Sequence, residues 1–406
     1  IKLPKKLQII DLKCNKSPVI VADVDYSKKF TKAEKVFNNI NNYWSRRIIR
    51  CTNCILPSTH PFINFDSNGV CNFCRSHKSI KLKNKSIFRR KLINTNPNKI
   101  MLGLSGGRDS SYALHLLVKD YGIKPITYTY DWGVNTNLSR RNVSRMCGEL
   151  GVENILIAAD IRQKRKNVKM NLLAWLKNPH PGLIPLLMAG DKQFISNAKL
   201  IKDERAIEKE IFAFNLHEKT QFKEDFTGVK MWNDTDNDSY GEDLGITKQL
   251  QMIFFYVKQG LVNPRLINTS LIDTAKGFLN YYHSKVSIIQ LFEYNDWDED
   301  SMNSFLRSGY DWEFAKDTTT SWRIGDGTAA FYNLAYFLMA GFTENDVIRS
   351  NLIREKKLTR SRALSLISSE NIPRYATLKW YLDILNLNFD DTVNSLMVNT
   401  EKYRKI

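Results

Sequence analysis

The sequence predicts an α/β protein with a doubly wound parallel sheet, a small cysteine-rich module before it and a helical region after it. Strand-like and helix-like segments alternate from residue 99 to residue 176. Two Cys-x-x-Cys pairs precede this series, and helical periodicity dominates from about residue 247 onward. Alternating strands and helices are typical of βαβ units, whose right-handed crossovers bring the carboxyl ends of the strands to one edge.

The elements of the sheet follow from short apolar runs and the amphipathic segments between them. The predicted strands cover 99–104, 125–130 and 154–158, and a further strand covers 211–215. The predicted helices cover 112–121, 138–150 and 161–176. We expect four regions: an N-terminal extension (1–47), a zinc-ribbon-like module (48–78), the sheet domain (97–290) and a helical C-terminal region (291–406) that completes the substrate site.

Length and composition are those of a soluble globular protein with two or three domains. The chain has 406 residues, of which 43% are hydrophobic and 25% charged. No apolar run approaches the roughly 18 residues that a bilayer span requires, and the first residues lack a signal-peptide pattern. These features predict a cytoplasmic protein without membrane insertion.

The chain is strongly basic, with a formal net charge of +18. Such a charge favours anionic partners, which include nucleotides, nucleotide sugars, RNA and acidic membrane surfaces. A solvated basic surface without a specific partner explains the same charge. The basic residues are spread along the chain and form no stripe interleaved with aromatic residues, so we do not expect nucleic-acid binding.

Four of the six cysteines form two tight pairs. The pairs have the spacing of a tetrahedral four-cysteine zinc site, and four thiolates leave no open position for catalysis. Disulfides are the alternative, and a cytosolic setting argues against them. We therefore predict structural zinc, with Cys51, Cys54, Cys71 and Cys74 as ligands. An acidic stretch at 233–245 lacks the glycine of a calcium EF-hand loop, so no calcium site is expected there.

The segment Ser105-Gly-Gly-Arg-Asp-Ser-Ser111 lies between an apolar strand and a helix. A turn in this position surrounds an anion with backbone N–H groups, and glycines let the main chain approach phosphate closely. Asp109 is suited to hold magnesium, and the serine hydroxyls are suited to donate to phosphate oxygens. The predicted nucleotide-binding residues of this loop are Ser105, Gly106, Gly107, Arg108, Asp109, Ser110 and Ser111.

This loop is neither a Walker loop nor a dinucleotide fingerprint, because the required Gly-Lys-Ser/Thr and Gly-x-Gly-x-x-Gly patterns are absent. It resembles the PP-loop of the N-type ATP pyrophosphatases, of the adenine nucleotide alpha hydrolase type. That resemblance implies an enzyme that binds ATP with Mg²⁺ and reacts at the α-phosphate. Asp131 and Trp132 follow the next strand, and we expect them near the nucleoside.

Further segments follow one another in an order that resembles the N-acetyl sugar amidotransferase family of bacterial surface-glycan and flagellin-glycan biosynthesis. The resemblance covers roughly 48–370, and the first ~47 residues lie outside it. Its segments are the cysteine pairs, the Ser-Gly-Gly loop, His180-Pro-Gly, Gly190-Asp-Lys192-Gln193, Trp322-Arg323 with Asp326-Gly-Thr, and Phe342-Thr-Glu-Asn-Asp.

The resemblance implies conversion of an acetamido group on a sugar acid, as in lipopolysaccharide O-antigen or pseudaminic and legionaminic acids, to an acetamidino group. ATP would adenylate the amide oxygen and release pyrophosphate, after which ammonia would displace AMP. The implied catalytic residues are Asp109, Asp191, Lys192, Arg323 and Asp326. The implied substrate contacts are His180, Trp322 and Arg323, and the substrate is a free or nucleotide-activated sugar acid.

Ammonia requires a source, and glutaminases use a cysteine nucleophile that this chain does not offer in a recognisable setting. We therefore expect a separate glutaminase with an ammonia-channelling subunit similar to that of histidine biosynthesis. The main alternative is a PP-loop tRNA thiolase, which also combines cysteine pairs with this loop. Such enzymes generally need further cysteines after the loop, and only Cys147 follows it here. A non-catalytic scaffold and an asparagine-synthetase-like amide synthesis are weaker alternatives.

Overall fold

A five-stranded parallel sheet lies at the centre of the computed structural model, which describes residues 23–188, 190–231, 245–283 and 288–404. Its spatial order is β3-β2-β1-β4-β5. Met101 of the central strand pairs with Ile126 on one side and Glu210 on the other. The strands are β1 (Ile100–Gly103), β2 (Ile126–Asp131), β3 (Asn154–Ala158), β4 (Lys209–Phe212) and β5 (Ile288–Gln290).

Helices cover the sheet and build the rest of the described chain. Short 3₁₀ turns join several of them, and Leu116–Asp120 continues α4 as one π-helical turn. The α-helices are α1 (Thr31–Ser45), α2 (Asn72–Arg75), α3 (Lys85–Leu92), α4 (Arg108–His115), α5 (Asn137–Leu150), α6 (Ile161–Lys177), α7 (Phe194–Arg205), α8 (Phe222–Asp225), α9 (Ile246–Val262), α10 (Leu271–His283), α11 (Glu299–Tyr310), α12 (Gly327–Ala340), α13 (Glu344–Arg354), α14 (Arg360–Glu370), α15 (Tyr375–Ile384) and α16 (Phe389–Asn399).

Local sequence signals explain where the helices near the sheet begin and end. The Asp160 side chain caps α6 by accepting from the Gln163 N–H at 3.0 Å. Gly151 ends α5 in the left-handed conformation, with φ of 60°. Thr343 and Asp346 form a reciprocal capping box at the start of α13. These caps satisfy backbone groups at the helix ends and fix where the three helices begin or end.

The predicted fold class is confirmed: the sheet is parallel and doubly wound, a four-cysteine module precedes it and a helical region follows it. Strand order changes direction at β1, so the crevice beyond the carboxyl end of β1 is where ligands bind in such sheets. Among the described helices, none has the length and apolar character to cross a bilayer.

Two details of the predicted sheet are wrong. Strand β5 lies in a stretch expected to be helical, and its three residues are too short to show any periodicity. The strand expected at 211–215 occupies Lys209–Phe212, because Ala213 and Phe214 have already turned toward the site. Element ends are the least certain part of a sequence-based assignment.

The largest hydrophobic cluster joins regions that are far apart in the sequence. Phe37 of α1 packs on Phe337 of α12 with ring centroids 4.9 Å apart. Residues of the cysteine module and of α15 and α16 belong to the same cluster. The described part of the predicted N-terminal extension therefore packs as core, while residues 1–22 and most of the acidic stretch at 233–245 lie outside the described residues. The domain boundaries stay predictions.

Candidate nucleotide and acceptor site

The Ser-Gly-Gly loop is held by its own hydroxyl groups. The Ser105 N–H donates to Oγ of Ser110 at 3.1 Å, and the Gly107 N–H donates to Oγ of Ser105 at 3.3 Å. Gly106 has φ of 76°, and a Cβ there would lie 2.2 Å from the Ser139 carbonyl oxygen. Glycine at 106 is therefore required both by its backbone conformation and by the close approach of α5. The loop leads into the N-terminus of α4, where the helix dipole favours an anion.

The loop opens into a cavity of about 1130 Å³ at the carboxyl edge of the sheet. A single drug-sized ligand occupies a pocket of about 300–1,000 Å³, so this volume has room for ATP and a second substrate together. The cavity brings together most residues that the sequence predicts. These are Ser105, Gly107, Arg108, Asp109, Ser110, Trp132, Asp191, Lys192, Trp322, Arg323 and Asp326.

The wall facing the loop is a cluster of buried charges. Lys223 forms an ion pair with Glu344, and the Arg323 guanidinium pairs with Glu218. Tyr332 donates from its hydroxyl to Glu344 Oε2 at 2.6 Å, which satisfies a further lone pair of that carboxylate. The side chain of Glu344 is fully buried, so the carboxylate depends on these partners for its charge.

Burial shifts the ionisation of this charged wall. It raises the pKa of Glu218 and lowers the pKa of Lys223, because both charged forms are removed from water. At Glu344 burial acts in the same sense as at Glu218, but attraction to Lys223 and Arg323 outweighs it and lowers the pKa. Burial also raises the pKa of Asp326 to about 6, and Asp191 adds to the effect.

Arg323 adopts a strained backbone conformation, with φ of 42°. Arg374 holds the strained turn by donating to the Arg323 carbonyl at 3.2 Å and to the Ile324 carbonyl at 3.3 Å. Asp326 then caps α12 by accepting from the Thr328 N–H at 2.9 Å. The turn thus places a guanidinium and a carboxyl group together at the cavity.

Some predicted site residues do not line the cavity. His180 accepts from the Gly182 N–H at 3.1 Å and is half-buried, with its ring centroid 5.2 Å from that of Phe255. Asp131 is paired with Arg140 at 2.7 Å and also accepts from the Gly133 N–H. Ser111 is fully buried and accepts from the Trp312 indole N–H at 3.1 Å. All three side chains have partners inside the fold and lie outside the residues that line the cavity, so their predicted roles stay predictions.

The four predicted metal ligands converge in one buried cluster. Their sulfur atoms all lie within 4.8 Å of one another, with 3.7 Å between Cys54 and Cys71 and 3.9 Å between Cys51 and Cys74. A tetrahedral ion with metal–sulfur bonds of about 2.3 Å separates its ligands by about 3.8 Å, so the cluster fits a single ion. A four-iron, four-sulfur cluster attaches each cysteine to a different iron and holds the cysteine sulfur atoms further apart.

The surroundings of the cysteines suit thiolates. The Cys71 N–H donates to Cys51 Sγ at 3.2 Å, and the Leu56 N–H donates to Cys54 Sγ at 3.4 Å. Arg354 at the end of α13 donates to Cys54 Sγ at 3.5 Å. None of the four cysteines lines the described cavity, so the module is separate from the reacting groups. Cys147 packs against Thr127, and burial raises the pKa of its thiol.

Several residues that line the cavity, or contact its lining from behind, were missed by sequence reasoning. Glu218, Lys223 and Glu224 come from one charged run after β4, which has no recognisable motif spacing. Glu344 belongs to the Phe342-Thr-Glu-Asn-Asp segment and is the first residue of α13. Its place at a helix start gave no indication of its ion pair with Lys223. Trp297 donates to Asp109 Oδ1 at 2.7 Å, across 188 positions of sequence. Only folding brings such residues together.

Comparisons with known proteins add little to this site. No family model matches the sequence, and no curated protein matches it. Among solved structures, the U34-tRNA thiolase NcsA from Methanococcus maripaludis with its 4Fe-4S cluster is 15% identical, with a TM-score of 0.30. The match covers 83% of this chain and 88% of that chain. At so low a TM-score the similarity bears on neither reaction nor acceptor. The sheet order and the loop after β1 themselves support a fold of the PP-loop ATP pyrophosphatase type.

Proposed function

We propose that this chain is an ATP-dependent enzyme that adenylates an acceptor oxygen and releases pyrophosphate. The observation that carries the proposal is the Ser-Gly-Gly loop at the carboxyl edge of β1, opening into a cavity with a second, charged wall. The loop and the start of α4 suit the pyrophosphate end of ATP. The carboxylate of Asp109 lines the cavity and suits Mg²⁺ bound with the phosphates.

The acceptor that we propose is the acetamido group of a sugar acid. The amide oxygen attacks the α-phosphorus, the bond to the bridging oxygen breaks and pyrophosphate leaves. Ammonia then adds to the imidate carbon, AMP leaves with the former amide oxygen and a proton is released. The product is an acetamidino group, in which NH has replaced O.

The charged wall supports an acidic acceptor. Arg323 and Lys192 line the cavity and suit the carboxylate of a sugar acid, and Trp322 offers an apolar face beside them. Trp132 is 2% exposed and lies on the β2 side of the cavity, where we place the nucleoside. Holding both substrates in line contributes to the rate by proximity, and Mg²⁺ stabilises the phosphate charge.

We assign zinc to the four-cysteine cluster, with a structural role, because four thiolates complete a tetrahedral shell. Ammonia requires a separate glutaminase and a channelling subunit. Cys147, the only cysteine after the loop, is buried away from the cavity and does not suit a nucleophile. The substrate is a sugar acid, free or carried on a nucleotide, and the setting that we propose is bacterial surface-glycan synthesis in the cytoplasm.

The second candidate is a tRNA thiolase. Lys78, Lys81 and Lys83 lie at the cavity, and the net charge of +18 suits a polyanion. The same adenylation step would then activate a base oxygen for replacement by sulfur. A relay cysteine is lacking among the cavity residues that the structure describes, so sulfur would have to arrive from a separate donor.

The deciding experiment is mass spectrometry of the zinc-loaded protein with Mg-ATP, ammonium and a panel of acetamido sugar acids. We expect a product lighter by the difference between O and NH, formed with equal amounts of AMP and pyrophosphate. AMP release that depends on tRNA and a sulfur donor, with no change in any sugar, would replace the amidotransferase by the thiolase. Metal analysis of the same protein should return one zinc per chain.

A further inference from the structure

The side chain of Arg108, which follows the two glycines of the Ser-Gly-Gly loop, turns into the protein. Its side chain is 1% exposed, and its Nε and Nη2 donate to the two carboxylate oxygens of Asp109 at 3.0 and 3.2 Å. Nη1 donates to Glu299 at 2.8 Å and to the Ser321 hydroxyl at 2.7 Å. Its guanidinium therefore divides its donors between Asp109 and Glu299.

The chain of charges continues beyond Glu299. Arg349 on α13 donates to the other oxygen of Glu299, and its Nε donates to Glu370 at 2.9 Å. Five charges of alternating sign thus run from the loop into the protein: Asp109, Arg108, Glu299, Arg349 and Glu370. Apart from Asp109, which is 19% exposed at the cavity, the side chains of the series are 1–14% exposed.

We propose that Glu299 and Arg349 are positioning residues that set how strongly Asp109 binds Mg²⁺. They do so by controlling how strongly the Arg108 guanidinium pairs with the Asp109 carboxylate. This inference rests on the proposed function, because it assumes that Asp109 holds the magnesium of Mg-ATP. Neither residue touches the substrate in this arrangement. Each acts through Arg108: Glu299 is two ion pairs away from Asp109, and Arg349 is three.

The alternation of signs gives opposite effects for neighbouring members of the series. The Glu299 carboxylate attracts the Arg108 guanidinium and leaves more of the Asp109 charge for the cation. Without the Glu299 charge, Arg108 pairs more strongly with Asp109 and Mg²⁺ binding weakens. Without the Arg349 charge, Glu299 is less neutralised, attracts Arg108 more strongly and Mg²⁺ binding strengthens. Because these side chains are largely buried, the low effective dielectric makes their charge interactions stronger than those of exposed pairs.

The test is equilibrium dialysis of labelled ATP at increasing Mg²⁺ with the full-length protein. For Glu299→Gln we expect the half-saturating Mg²⁺ concentration to rise by roughly three- to tenfold, the size of change that a neighbouring charge produces at a carboxylate. For Arg349→Gln we expect a fall of about two- to threefold. If Arg349→Gln does not fold, the double variant Arg349→Gln/Glu370→Gln removes the outer pair and should shift in the same direction.

A buried carboxylate outside the series, paired with a partly exposed lysine, provides the matched control. Glu210 on β4 is 1% exposed and pairs with Lys202 at 2.8 Å. Glu210→Gln should lower thermal stability without changing the Mg²⁺ dependence. Shifts of the same sign in both test variants, or no shift in either, would overturn the inference while leaving the proposed function intact. Failure of the wild-type protein to bind ATP with Mg²⁺ would instead refute the proposed function.

Discussion

The two walls of the cavity are built in different ways. One wall is the loop from 105 to 111, a continuous segment whose shape depends on backbone conformation and on hydroxyl groups two to five residues apart. The other wall combines Glu218, Lys223 and Arg323 with Glu344, which is buried behind them. These residues come from three separate segments and are joined by ion pairs. The loop wall therefore depends on backbone geometry, and the charged wall depends on charge balance.

The largest effect should come from a methyl group in the loop wall. Gly106→Ala places a Cβ 2.2 Å from the Ser139 carbonyl oxygen at a φ of 76°. We expect loss of ATP binding in equilibrium dialysis and a loss of about 3 kcal/mol or more in the free energy of unfolding. Gly122→Ala is the matched control, since Gly122 has φ of 69° and open space around it. If Gly106→Ala binds ATP and unfolds as Gly122→Ala does, backbone geometry at position 106 does not determine the shape of the loop wall.

Breaking the charge balance of the opposite wall should have the next largest effect. Lys223→Met leaves the fully buried Glu344 without its main partner, and we expect a loss of about 3 kcal/mol in urea unfolding. ATP binding should persist, because the loop wall is unchanged. The double variant Lys223→Met/Glu344→Gln removes both charges and should recover most of the stability. Absence of recovery would show that packing, rather than charge, holds this wall.

An exposed ion pair provides the control for Lys223. Lys379 and Asp383 pair at 2.7 Å on the surface of α15. Lys379→Met should change stability by less than about 1 kcal/mol, because surface pairs gain little over their hydration.

The pH dependence of stability should report the buried carboxyl group of Asp326. Its pKa is raised from 3.8 to about 6, so the folded protein binds the proton more tightly than the unfolded chain does. Its contribution therefore favours folding at low pH and is lost as pH rises from about 4 to 6, by about 2 to 3 kcal/mol. Asp326→Asn keeps a side-chain oxygen that can cap α12 but has no carboxyl group to titrate. The variant should therefore not lose this stability as pH rises. The stability difference between variant and wild type should grow over that pH range; a constant difference would contradict the assignment.

The smallest effect should come from Trp322, which lies near both walls. The Arg108 guanidinium is 5.7 Å from the centre of its ring, and the indole N–H is buried without a hydrogen-bond partner among the described residues. Trp322→Phe keeps an aromatic face and loses no hydrogen bond, so we expect a change below about 1 kcal/mol in thermal unfolding. Trp322→Ala should cost clearly more. Equal losses of stability in the two variants would mean that an aromatic ring beside the Arg108 guanidinium contributes nothing to stability.

Sequence patterns predicted the loop wall far better than the charged wall. The loop lies between β1 and α4 as expected, because glycines and a strand–helix junction are local features. Lys223 and Glu344 are more than a hundred positions apart, and no spacing rule links them. His180 belongs to a motif-like segment that suggested a substrate contact, and its ring packs on Phe255 outside the residues that line the cavity.

By itself the sequence determined the fold class, the position of the Ser-Gly-Gly loop between β1 and α4, and the four-cysteine module. Each depends on residues that are close in the chain or on periodicities that repeat along it. Tertiary structure alone decided the strand order, the charged wall, the inward turn of Arg108 and the series of ion pairs through Glu299 to Glu370. Those features arise because buried charges need partners, and the partners come from whichever segments packing brings within a few ångströms.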